Sequence, residues 1–280
     1  MLLKSTWLEF LKIAARPRSY IGFAAITVIV GIIQFAMYVD GNNYISFITQ
    51  ALDQSFNISG KILNGSLVGF VILQMLIIQV PLLVALVTGD LISGEAAMGT
   101  ARLLLTRPIS RSSVLLSKFL AGNLYIMLLL IWLGLLSIGL GLLLFGTGDL
   151  VVVKTESLVI LQDGDITWRF FAAFGVAFLA MMLIGSLSLC LSCFSDNSIG
   201  PIITTMAIIV LFTIIGALEV PVLDALKPYM FTSHMVVWRN FFDDVPPKDL
   251  IWNSCLIMGA HIAGFMGIAL YAYKRKDILS

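Results

Sequence analysis

Apolar residues fill six long runs of the chain, and charged residues collect between them. Residues 19–39, 62–89, 119–148, 170–195, 197–218 and 250–273 contain no Asp, Glu, Lys or Arg. A helix crosses the hydrocarbon core of a bilayer in about 20 residues, so each run is long enough to span. We place the spans at 19–39, 66–89, 119–147, 170–194, 198–218 and 251–273. Asp196 alone separates the fourth and fifth runs, in a tight turn of Phe194, Ser195, Asp196 and Asn197. Pro201 then suits the first turn of the next helix.

The segments outside the runs have their own patterns. In residues 1–18, Leu3, Trp7, Phe10, Leu11 and Ala14 recur at helical spacing, with Ser5, Glu9, Lys12 and Arg16 on another side. This predicts a helix lying along the membrane surface. Residues 40–61 carry Phe47, Ile48, Ala51, Leu52 and Phe56 at roughly helical spacing, predicting a short surface helix. Residues 149–169 open on a β-like run, Leu150 to Val153, and pass through an acidic turn at Asp163 and Asp165. Residues 219–249 are aromatic but broken by Pro221, Pro228, Pro246 and Pro247. They read either as a re-entrant pair covered by protein or as an interfacial loop anchored by aromatics.

Composition turns this pattern into a class. The chain has 59% hydrophobic and 12% charged residues, against about 25% charged in a soluble domain. We expect one all-α integral membrane domain over residues 1–280 with six transmembrane helices. A secretory signal is not expected, because no small-residue cleavage site follows the first apolar run, which stays as a span.

The distribution of charge then sets the topology. With six spans both termini lie on one side. That side would hold Lys4, Lys12, Arg16, Arg18, Arg102, Arg107, Arg111, Lys118, Lys274, Arg275 and Lys276, eleven of the 17 basic residues. The positive-inside rule makes it the cytoplasm.

Several chemistries are missing. No phosphate-binding G-x-x-x-x-G-K-[ST] occurs, since Gly60 and Lys61 are followed by Ile62, so the chain does not bind nucleotide as a P-loop ATPase. No H-E-x-x-H is present, and His234 and His261 are far apart. No Asp, Glu, Lys or Arg sits mid-span, where ion-coupled transporters usually keep such residues. We expect no catalytic residues and no cofactor held by this chain. Gln34, Gln74, Gln79, Ser137, Ser186, Ser188, Thr204, Thr205 and Thr213 suit helix–helix hydrogen bonds. Cys190 and Cys193, near Met181 and Met182, read as structural, with a Cu(I) site as the alternative.

The longest basic, turn-rich interruption is 90–118, DLISGEAAMGTARLLLTRPISRSSVLLSK. Ser112 or Ser113 is positioned to cap a helix leading into the third span. The run Ser93-Gly94-Glu95, Gly99-Thr100, Leu103 to Leu105, Arg107-Pro108-Ile109-Ser110-Arg111 and Lys118 resembles the cytoplasmic loop of ABC transporter permeases of the type-2 exporter class. The resemblance implies a permease subunit of an exporter, without its own ATPase, in the inner (plasma) membrane. Two permease copies or homologues would pair with two cytoplasmic ATPase subunits that bind ATP and Mg. Residues 1–18 would be the elbow helix, 90–118 the coupling loop and 219–249 the broken or re-entrant outer segment.

Carried over by position, Gly94, Glu95, Gly99, Thr100, Arg102, Arg107, Pro108 and Arg111 are the ATPase-coupling residues. Glu95 and Arg102 would face the partner, and Arg111 and Lys118 the lipid headgroups. The alternatives are a membrane anchor or scaffold that recruits a cytoplasmic ATPase for mechanical or envelope work, and a copper-linked maturation permease. Nucleic acid is not an expected partner.

Overall fold

The computed structural model describes residues 2–49, 62–76, 79–100, 110–153, 158–218 and 220–275. The surface helix expected within 40–61 lies largely outside them, and so do Arg102, Leu103 to Leu105, Arg107, Pro108 and Lys276.

Most of the described residues are helical. Helix α1 (Leu2–Ala14) leads through a two-residue turn into α2 (Pro17–Thr49), which kinks at Asp40. Next come α3 (Gly65–Met75), α4 (Gln79–Thr88) and the short α5 (Asp90–Ala97). Helix α6 (Arg111–Gly134) continues through a π-helical turn (Leu135–Leu140) into α7 (Gly141–Phe145). After a hairpin come α8 (Asp163–Cys193) and α9 (Ile199–Ala217). The two short helices α10 (Pro221–Asp224) and α11 (Phe231–Met235) precede the terminal α12 (Lys248–Arg275).

Among the described residues five helices are long and apolar enough to cross a membrane: Pro17–Gly41, Arg111–Phe145, α8, α9 and α12. A sixth crossing exists if α3 and α4 are one span, but they meet at 58°. The uninterrupted second span expected at 66–89 is thus broken near its middle. Large apolar side chains such as Ile32, Phe35, Leu143, Phe171 and Leu211 point outward. A water-facing surface hides such groups, whereas a bilayer accepts them. The molecule is compatible with a multi-pass membrane protein.

Two local features differ from the expectation, the hairpin and the cap of α6, and the segment before α12 is broken as expected. Strands β1 (Leu150–Val153) and β2 (Leu158–Leu161) pair antiparallel, Leu150 opposite Leu161, so the fold is not purely α. Their alternating Leu150 and Val152, Val159 and Leu161 are buried, as one face of a pleated ribbon requires. Ser110, not Ser112 or Ser113, caps α6, its hydroxyl accepting the Ser113 amide at 3.3 Å. Residues 221–242 form four short turns of at most six residues each, with no pair of longer helices. Buried aromatics pin this segment to the bundle. Phe242 lies 4.9 Å, centroid to centroid, from both Phe70 and Phe170.

The π-helical turn has a direct cause for its survival. A π turn leaves carbonyls without their usual helical donors. The Gln34 amide of α2 donates to the Leu136 carbonyl at 2.8 Å. Beside it Gly65 lies so close to Gly141 and Leu142 that any side chain there would strike backbone.

Helix α8 is the central post, packed against α4, α5, α6, α9 and α12. Its C-terminal half is small and polar for that reason. The Ser188 hydroxyl donates to the Ala85 carbonyl, and Gly89 presses against Ser188 where a Cβ would not fit.

Candidate functional site

One end of the bundle gathers α1, α5, the start of α6 and the ends of α8 and α12. Helix α5 is packed into that end, with Asp90 to Glu95 buried and only its last turn at the surface. Its N-cap, Gly89, has no side chain to satisfy the first-turn amides. Ser192 of α8 supplies the missing acceptor, its hydroxyl taking the Ser93 amide at 2.9 Å and the Ile92 amide at 3.3 Å. At the other end Gly99 sits at φ +68°, the left-handed region. The Thr100 amide donates to the Glu95 carbonyl and the Gly99 amide to the Ala96 carbonyl, which is a Schellman ending. Ala97 to Thr100 are exposed, and Met98 is the large apolar group at the tip.

Beneath α5 lies a closed group of four charges. The Lys118 ammonium is 2.8 Å from Glu95 and 2.9 Å from Glu9. Lys12 reaches Glu9 at 2.6 Å and Glu95 at 3.1 Å. Lys118 is only 1% exposed, and Glu9 and Glu95 are also buried. Burial pushes the Glu9 carboxyl up, but Lys118 and Lys12 outweigh it and hold it below its ordinary range. Burial pushes the Lys12 ammonium down, and Glu9 with Glu95 more than reverses that.

A second group adjoins the first. Asp90 pairs with Arg16 and, at 2.9 Å, with Arg18. Gly94 lies directly over the Asp90 carboxylate, and a Cβ at 94 would collide with it. Further out, Arg111 donates to the carbonyls of Tyr273 and Lys274, ending α12.

The expected site residues therefore divide. Gly94, Glu95, Gly99, Thr100 and Arg111 come together at this end, while Arg102, Arg107 and Pro108 lie outside the described residues. Glu95 does not face outward to a partner: its carboxylate turns inward to Lys118 and Lys12. Lys118 is not at the headgroups but is the most enclosed cation of the group. Glu9, Lys12, Arg16, Arg18 and Asp90 belong to the site and were not singled out. The one sequence signal was acidic residues isolated within basic segments, because the partners are 83 and 109 positions apart.

Helix α1 also reverses the usual amphipathic arrangement. Its polar side, with Thr6 and Glu9, faces the protein, while Leu3, Trp7, Leu8 and Leu11 face outward.

A cavity of about 540 Å³ lies between α3, α4, α6, α8, α9 and residues 232–239. Its lining is apolar apart from Thr213, Thr232, Ser233 and Arg239. The Thr213 hydroxyl is already spent on the Ile209 carbonyl. Buried Arg239 Nε and Thr232 Oγ1 have no hydrogen-bond partner among the described residues. Burial lowers the pKa of the Arg239 guanidinium from its usual range. Nearby, Arg169 is fully engaged, pairing with Asp165 and donating to the carbonyls of Phe241, Asp243 and Asp244.

Cys190 and Cys193 are buried near the C-terminal end of α8, and the Cys193 thiol donates to the Leu189 carbonyl. Among the described residues no three of His, Cys, Asp and Glu gather as metal ligands would.

Residues 26–279 match the model of a family described as "Protein of unknown function (DUF2705)". The chain belongs to that family. The match takes in α5, Lys118 and the candidate crossings except residues 17–25 of the first, and begins after α1, Arg16 and Arg18. Compared with curated proteins, the chain matches none.

Proposed function

We propose that the chain is the membrane-spanning permease subunit of an ATP-driven exporter, worked through residues 90–118 by a separate cytoplasmic ATPase. In this reading α3 and α4 together make a sixth span, and both termini and α5 are cytoplasmic. A second permease copy completes the pore, and ATP and Mg bind in the partner subunits.

The observation that carries the reading is the way α5 is held. Its exposed tip, Ala97 to Thr100, is joined through Ser192 to α8 and through Glu95 to α1 and α6. Docked elements of this kind move as a body rather than bending singly. A push on the tip is thus passed to two long helices at once. The uncharged spans fit a transporter that draws its energy from a partner.

The test is co-purification in mild detergent. Met98 is 58% exposed and makes no part of the buried charge group, so Met98→Asp alters the tip alone. An ATP-hydrolysing subunit is expected with the wild type and lost from Met98→Asp, at an unchanged thermal transition. No ATPase with either protein overturns the reading. An ATPase that binds the wild type yet drives no export from vesicles favours the anchor or scaffold alternative.

A further inference from the structure

The cavity beside the broken α3–α4 pair is the part of the molecule that the ATPase reading leaves unused. Its size, about 540 Å³, falls within the roughly 300–1,000 Å³ typical of small-molecule sites. Leu73, Leu76, Val80 and Pro81 form its wall on either side of the 58° bend. Backbone bends at membrane depth survive where they line a cavity or are covered by protein.

One stretch of the lining differs from the rest. Thr232, Ser233 and Arg239, all from the segment before α12, give the cavity its polar groups besides Thr213. Arg239 makes no ion pair among the described residues, unlike Arg169 and Lys227, which have Asp165 and Asp224. A half-buried guanidinium with an unmet N–H, on a lining that also carries an unmet buried hydroxyl, is costly unless acceptors meet them. Carboxylate and phosphate oxygens accept from such groups in short, strong hydrogen bonds.

We propose that this cavity binds a single-chain anionic lipid, its acyl chain between α4, α8 and α9 and its carboxylate or phosphate on Arg239 and Thr232. The apolar walls select the chain, and the cation fixes its direction. The site does not depend on the ATPase reading, because it lies within one chain and none of its lining residues belongs to α5.

The experiment uses the purified full chain in a neutral maltoside detergent, titrated with 9,10-dibromostearate. Bromine quenches nearby tryptophan, and Trp238 lines the cavity. Saturable quenching is expected for the wild type and is lost in Trp238→Phe. Arg239→Gln raises the half-saturating concentration at least about tenfold, as loss of a charge-assisted hydrogen bond does. The methyl ester of the same acid should bind weakly and equally to both proteins. Ala177→Phe fills the cavity and abolishes the saturable phase while keeping Arg239, so it tests the site even if Arg239→Gln fails to fold. Quenching that never saturates, from exposed Trp7 and Trp252 alone, overturns the proposal. So does an Arg239→Gln or Ala177→Phe protein that titrates as the wild type.

Discussion

The Lys118 ammonium lies 2.8 Å from the Glu95 carboxylate, and neither side chain meets solvent appreciably. This contact ties the base of α5 to α6, and the shared partner Glu9 ties both to α1. Lys118→Met leaves two buried carboxylates with only Lys12 to answer them. Removing one member of a buried ion group costs on the order of 3 kcal/mol. The expected result is a lower thermal unfolding midpoint in detergent and faster proteolysis of residues 2–14. Adding Glu9→Gln to Lys118→Met should restore part of the loss, since fewer charges are then unpaired.

The same group sets a pH dependence. Glu9 is held below its ordinary value of 4.5, so its contribution is present above that value and lost as pH falls through the lower folded one. Lys12 is raised above 10.5, so its contribution is complete below that value and lost only as pH rises further. Docking of α1 should therefore be level through neutral pH and fail in acid below 4.5. Hydrogen exchange of the α1 amides across pH, corrected for intrinsic rates, measures it. A transition near neutrality would contradict the assignment.

Gly94 and Gly99 should respond differently to substitution. At Gly94 a methyl group displaces the Asp90 carboxylate from Arg16 and Arg18, so Gly94→Ala should destabilise the whole end of the bundle. At Gly99 no described residue beyond its chain neighbours comes within 4 Å of an added Cβ, and the positive φ is what is at stake. Gly99→Asn should be close to neutral, and Gly99→Val should cost about 1–2 kcal/mol. Thermal midpoints of the three variants rank them.

Arg169 holds the aromatic segment through the carbonyls of residues 241, 243 and 244. Arg169→Met keeps much of the apolar stem and removes those donors. The segment 239–247 should become open to protease, while the 90–118 end keeps its wild-type digestion pattern. Equal protection in both proteins would show that the Phe70, Phe170 and Phe242 packing is sufficient alone.

Gln34→Leu should remove the donor that meets the Leu136 carbonyl. An unmet buried carbonyl costs about 1–3 kcal/mol. The thermal midpoint should fall, and amide exchange should rise in the π turn, residues 135–140, more than in α6 or α7.

The sequence by itself determined the class of this protein and most of its helices. Length and hydropathy are enough for that, because an uncharged run of 20 residues has few other places to go. Gly99 was legible as a turn for a local reason too, since only a residue tolerant of positive φ ends a helix in that way. What the tertiary structure alone decided are the pairings between distant segments. Glu95 looked like a surface charge for a partner, and only the approach of α1 and α6 turns it inward. Lys118 looked like a headgroup anchor, and only the same packing encloses it. The break between α3 and α4, the cavity beside it and the open valence of Arg239 were equally hidden. A periodic pattern reports which residues leave water, but not which of them meet, and it is the meeting that fixes charge and space.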